Sequence, residues 1–275
     1  MKLSFNTWAY ASFPFWMPAY TLEDTITRLA RMGYDAVELG GGAPHAYPAY
    51  LDAQRRKETV DLLHKEGIVV SSICPALGGG PGYNPGSPYD VERKASVQYY
   101  KDVVALAKDL ESKAVIYVAG WSVHGTERAQ AWEWSRNVLR EVASFANEIG
   151  VTMMVEPTPA DTNIVESADD ALRMMREVES PAVKVMFDTI HAMYRGESWV
   201  DYVYTMGKDL GHVHITDKDR LAPGAGGTDF APLIKALRDV GFDGFLTQEC
   251  GFMPGTDPDA VAKEGLKNLK ALLAE

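Results

Sequence analysis

Eight short β-like runs alternate with helix-length segments along the 275 residues, and this alternation restricts the fold more than any other feature. The runs cover residues 3–8, 36–39, 68–74, 114–119, 152–156, 183–188, 212–216 and 245–249. Most are apolar on both faces, as strands buried in a parallel sheet must be. Between them the apolar period changes to that of a helix. Leu29, Ala30 and Met32 follow the cap-like Thr21-Leu22-Glu23-Asp24 and stop at Gly33. Val97, Tyr100, Val104 and Ala107 form one stripe within residues 93–110. Residues 132–149 stop at Gly150, residues 230–240 stop at Gly241, and residues 258–273 form the last helix. Strand ends recur about every 30–40 residues, the length of one βα unit.

Eight such units in one compositional regime predict an α/β protein, a single (β/α)8 TIM barrel spanning residues 1–275. The competing doubly wound sheet would carry a glycine-rich phosphate loop after its first strand. Here the first run leads instead into Phe13-Pro14-Phe15-Trp16-Met17-Pro18. The Gly/Pro-rich residues 78–88 read as a loop inside the third unit.

Charge narrows the partners. Twenty-seven Lys and Arg against 38 Asp and Glu give a formal net charge of −11, which argues against nucleic acid as a partner. No apolar run approaches the roughly 20 residues that span a bilayer, so no membrane is expected. The start, Met1-Lys2-Leu3-Ser4-Phe5-Asn6, reads as a strand rather than a targeting segment. Cys74 and Cys250 form neither a disulfide framework nor a CxxC pair, and a reducing, cytoplasmic location is the expectation.

Chemistry gathers at strand ends. Glu156 ends the fifth run, Asp188 the sixth and Glu249 the eighth, and His214 lies near the end of the seventh. Barrel strands direct their C-terminal ends to one face, where active sites are built. Three carboxylates converging there would repel one another unless a divalent cation joined them. Three carboxylates and one imidazole suit Mn²⁺ or Mg²⁺ better than structural zinc. His191, three residues past Asp188, and Arg220, six past His214, would stand on loops above that cation and hold substrate oxygens. The plainer alternatives are a hydrogen bond from His191 to a carboxylate and a pairing of Arg220 with Asp217 or Asp219. His212 is expected on the opposite side of its strand from His214, as a buried structural residue. His45 and His124 follow the second and fourth runs on the catalytic face. Glu38 reads either as a partner behind the metal ligands or as a salt bridge inside the barrel, and His64 reads as surface.

Nearly the whole chain resembles the xylose-isomerase-like sugar isomerases and epimerases, and most of all the ketose 3-epimerases, which include tagatose/allulose and fructoselysine 3-epimerases. The resemblance is carried by Gly33-Tyr34-Asp35-Ala36-Val37-Glu38-Leu39, Gly41-Gly42-Ala43-Pro44-His45-Ala46 and Glu156-Pro157. It continues in Asp188-Thr189-Ile190-His191, His212-Val213-His214-Ile215, Gln248-Glu249, and Arg220 followed by Pro223-Gly224-Ala225-Gly226 and Asp229-Phe230. It implies that Glu156, Asp188, His214 and Glu249 ligate a divalent metal, Mn²⁺ first with Mg²⁺ or Co²⁺ as alternatives. It also implies that Glu156 and Glu249 are the catalytic pair, inverting C3 of a free or substituted ketose through an enediolate. By the same resemblance Asp161 is the acidic substrate contact after the fifth strand, in a segment one residue shorter than in the epimerases. His191, Arg220, His124 and His45 complete the substrate-binding candidates.

The resemblance leaves rivals open. An aldose–ketose isomerase, including one of hydroxypyruvate or keto-inositol type, could use similar residues. So could a metal-dependent lyase on an oxidised 3-keto glycoside, with His124 as acid/base. A metal nuclease would need more histidines and a basic face, and a sugar sensor would have no use for both carboxylates. The apolar loop of Phe13, Phe15, Trp16 and Met17 reads as a lid, as a pocket for an aglycone, or as an interface in a homo-oligomer, a dimer or tetramer.

Overall fold

The computed structural model describes residues 1–11, 19–76, 83–253 and 255–274. Strands β1 (Lys2–Asn6), β2 (Ala36–Gly40), β3 (Val69–Cys74) and β4 (Ala114–Val118) are followed by β5 (Thr152–Glu156), β6 (Val183–Asp188), β7 (Leu210–Ile215) and β8 (Phe245–Gln248). They pair in sequence order, and β1 also pairs with β8, so the sheet closes into a parallel barrel. Around it lie α1 (Leu22–Met32), α2 (Ala53–Glu66), α3 (Asp90–Asp109), α4 (Arg128–Ile149) and α5 (Ala168–Val178). The outer ring continues with α6 (Thr189–Arg195), α7 (Trp199–Met206), α8 (Ala231–Asp239) and α9 (Pro258–Ala274). The expected (β/α)8 TIM barrel is therefore the observed fold.

Local chemistry explains the boundaries. The Thr21 hydroxyl accepts from the Asp24 amide at 3.0 Å, and Gly33, with φ of 96°, ends α1. β1 is shorter than its apolar run because the Asn6 side chain accepts from the Trp8 amide at 2.8 Å, which turns the chain into a 3-10 helix. β7 begins two residues earlier than expected, at Leu210. The unit after β6 carries two helices: Gly196 ends α6 in a left-handed conformation, and the Ser198 side chain caps α7. Among the described residues no helix is long and apolar enough to cross a membrane. Cys74 and Cys250 are free thiols, both buried.

Two layers of side chains separate by strand parity. Val37, Tyr117, Met153, Val155, Phe187, Val213 and Leu246 face outward and join the helices in the main core. Inside the barrel, Ile116, Val118, Met154 and Met186 make one half apolar. The other half is polar: Ser4, Asn6, Glu38, Ser72, His212, His214 and Thr247 are all buried. The same parity carries upward, so Glu156 and Asp188 also turn inward at the C-terminal mouth, and Glu249 follows directly after β8.

Candidate active site

At that mouth, Glu156, Asp188, His214 and Glu249 each offer one ligand-type atom, and all four atoms lie within 4.8 Å of one another. Ligands around an ion with bonds near 2.1 Å stand about 3–4 Å apart, so small side-chain adjustments would bring the four onto one cation. The chemistry of the donors fits as well. His214 Nδ1 lies 3.2 Å from Glu249 Oε2 and 3.5 Å from Glu156 Oε1. Nevertheless His214 Nδ1 and Glu156 Oε1 are buried without a hydrogen-bond partner. Buried polar atoms are seldom left so, because each forfeits its solvation. A divalent cation taken up among hard oxygen donors and one imidazole would satisfy both.

The surroundings split the carboxylates. Burial opposes the charge of Glu249, but Arg220 and His214 outweigh it and hold the group well below the usual carboxylate range. Burial prevails at Glu156 and at Asp188 and pushes both upward, against His214 at the first and Arg220 at the second. Arg220 Nη1 donates to Asp188 Oδ2 at 2.6 Å, to Glu249 Oε2 at 2.7 Å and to the Glu249 carbonyl at 3.0 Å. Its partners are thus two of the clustered carboxylates, not Asp217 or Asp219 as the alternative reading had it. Asp188 also accepts from the Ile190 amide at 3.0 Å and so caps α6, which fixes its carboxylate from below.

Asp217 has a different task. Fully buried, it accepts from the amides of Lys218 and Gly226, each at 2.8 Å, and from the Thr228 hydroxyl. These bonds fold the 217–228 loop and hold Asp219 and Arg220 at φ of 59° and 57°. Left-handed backbone at two successive non-glycine residues persists only where the surroundings enforce it.

A cleft of about 430 Å³ opens above the cluster. Trp8, Pro75, Val118, Trp121 and Phe252 supply its apolar wall, and Thr158, Asp161, Thr162, His191 and Arg220 its polar one. Trp8 can lie on that wall because Gly40 and Gly42 have no side chain. A Cβ at either would come within 2.8 Å of the indole. His191, in the first turn of α6, is buried, with Nε2 3.6 Å from Asp161 Oδ2 and Nδ1 unpartnered. The structure therefore brings Glu156, Asp188, His214, Glu249, His191, Arg220 and Asp161 to one place.

His45 and His124 are not brought there. His45 is buried with Nε2 3.0 Å from the Tyr20 carbonyl, and burial lowers its pKa to about 4, so it acts on the loop beneath rather than on the cleft. His124 is exposed. Its loop is tied down by the Ser122 amide on Asn163 Oδ1 at 2.7 Å, and Trp121 rather than His124 lines the cleft. The expected orientation of His212 is also corrected. Residues two apart on a strand share a face, and His212 meets the same Glu38 carboxylate as His214, at 3.1 Å. It is nonetheless a buried residue outside the four-ligand set. The aromatic run Phe13, Phe15, Trp16 and Met17 lies outside the described residues.

Sequence reasoning missed Asn6, Ser72, Trp8 and Thr158. Asn6 and Ser72 were accessible to the strand-end argument that found the acids. Trp8 and Thr158 depend on loop paths that no periodicity encodes.

Comparisons with known proteins find likeness over most of the chain. The family described as xylose isomerase-like TIM barrel matches residues 26–272. Fructoselysine 3-epimerase of Shigella flexneri is 28% identical over 260 residues, covering 92% of this chain and 94% of that protein. D-psicose 3-epimerase of Ruminiclostridium cellulolyticum is 29% identical over 235 residues, covering 82% and 76%. The crystal structure of D-psicose 3-epimerase with D-tagatose from Clostridium cellulolyticum H10 superposes with a TM-score of 0.83 at 23% identity, over 99% of each chain, and supports the fold.

Proposed function

The chain belongs to the xylose isomerase-like TIM barrel family, and we propose that within it the protein is a divalent-metal-dependent epimerase inverting C3 of a free or substituted ketose. The observation that carries this reading is the convergence of Glu156, Asp188, His214 and Glu249 with two orphaned polar atoms at the centre. Mn²⁺ is the first choice of metal, with Mg²⁺ or Co²⁺ able to replace it. Among the described lining residues Arg220 is the sole arginine or lysine, and it is already paired with Asp188 and Glu249. This favours a ketose without a phosphate.

The bound cation would supply Lewis-acid polarisation of the substrate carbonyl. The residues do the rest. Glu249, held ionised by Arg220 and His214, takes the C3 proton, and the C–H electron pair moves toward the carbonyl to give an enediolate. Glu156 returns a proton from the other end of the β5–β8 arc. Replacement from the opposite face inverts C3. In the reverse direction the two exchange roles. Arg220 and His191 orient substrate oxygens, Asp161 receives a hydroxyl at the rim, and the aromatic wall excludes water.

The reading is tested by the product. Metal-loaded protein incubated with D-fructose, D-psicose, D-tagatose and fructoselysine should yield the C3 epimer of at least one. An aldose product, or an aglycone released from a 3-keto glycoside with no epimerisation of any ketose, would contradict it.

Two variants separate orientation from support. His191→Ala should lower turnover at least about tenfold, equivalent to roughly 1.4 kcal/mol, with little change in melting temperature. Arg220→Ala should lower turnover too, and should also destabilise the metal-free protein by on the order of 3 kcal/mol, because Asp188 and Glu249 lose their buried counter-charge. Full turnover in both variants would return these residues to structural roles.

A further inference from the structure

Beneath the ligand cluster, four donors converge on one fully buried carboxylate. Glu38 accepts from Asn6 Nδ2 at 2.7 Å, Ser72 Oγ at 2.5 Å, His212 Nε2 at 3.1 Å and His214 Nε2 at 2.8 Å. A buried carboxylate is costly, and the apolar half of the same interior shows that the barrel can be filled without one. The polar half therefore calls for a reason.

Its position supplies one. An ionised carboxylate only accepts, so the ring nitrogen facing it must carry the proton. At His214 that nitrogen is Nε2, which leaves the Nδ1 lone pair free. Nδ1 is the atom with no hydrogen-bond partner, and it faces Glu156 and Glu249. The same Asn6 amide also reaches Glu249 Oε1, at 3.3 Å. The Asn6 oxygen is fixed in turn by the Trp8 amide at 2.8 Å, so this amide cannot flip without losing that bond.

We propose that Glu38 is a positioning residue: it fixes the His214 ring so that Nδ1 is presented to the cation, and through Asn6 it sets the Glu249 carboxylate. Ser72 and His212 complete the shell that keeps Glu38 in place. The proposal rests on the metal reading of the site but not on the identity of the sugar.

The test uses metal alone. Mn²⁺ affinity is measured calorimetrically on the whole protein and on Glu38→Gln and Glu38→Met. Gln keeps one acceptor oxygen, whereas Met keeps the bulk and no acceptor. Partners of metal-ligating histidines typically contribute about 10- to 100-fold in affinity. Dissociation constants should therefore rise about tenfold for Gln and toward 100-fold for Met, beyond any change in the metal-free melting temperature. Nitrogen-15 NMR of the Mg²⁺-loaded wild type should place the His214 proton on Nε2, and this readout needs no variant to fold. Wild-type affinity in a folded Glu38 variant, or a His214 proton on Nδ1 in the loaded wild type, would overturn the proposal while leaving the metal site standing. Failure of the wild type to bind any divalent cation would instead remove the metal reading, and this inference with it.

Discussion

Glu249→Gln and Glu156→Gln should each lower net epimerisation by about 10²- to 10⁴-fold, the usual contribution of a positioned acid or base. Gln keeps the size and one ligand oxygen but cannot shuttle the proton. Each variant retains the other carboxylate, so it should still exchange the C3 proton of one epimer with D₂O, and the two variants should favour opposite epimers. The two carboxyls already differ in character: Arg220 and His214 draw Glu249 down against burial, and burial pushes Glu156 up. Metal occupancy has to be measured in parallel, since both residues belong to the cluster. Wild-type epimerisation in both metal-loaded variants would dismiss the two-carboxylate mechanism, and the base would then be sought at Asp161 or His191, the other cleft residues able to take a proton.

Stripping divalent cations should abolish activity, and adding Mn²⁺ should restore it together with stability. At a free metal concentration of 100 times Kd, a ligand that binds only the folded chain adds about 2.7 kcal/mol. For a chain of this size that is roughly 5–10 °C in melting temperature. Asp188→Asn should lose most of this shift, because it removes a buried anionic donor whose position is fixed by the Ile190 amide. A melting temperature insensitive to millimolar Mn²⁺, Mg²⁺ and Co²⁺ would mean that the four groups hold no cation.

The four clustered groups were legible because each stands at or near the end of a strand, and strand ends in a barrel converge. β5 and β6 have the bounds that the apolar runs predicted, which put Glu156 and Asp188 in phase from the start. What lies behind them was hidden by distance along the chain. Asn6 touches Glu249 across 243 positions, a contact that exists only because β1 closes against β8. The two-residue strand period alone already puts His212 on the same side as His214, where both meet Glu38. The loop histidines were unreadable for another reason. Tyr20 determines where His45 points, and Asn163 holds the loop before His124, so tertiary bonds rather than local pattern decide both.

In the proposed reaction, one carbon of a ketose loses and regains its proton at this metal-dependent pair of carboxylates. The most direct measurement is NMR of substrate and product after the metal-loaded wild type has turned over a ketose in D₂O. Deuterium is expected at C3 of both epimers and at no other carbon, with no incorporation in metal-stripped protein. Epimerisation without deuterium at C3, or deuterium confined to C1 with an aldose as product, would contradict it.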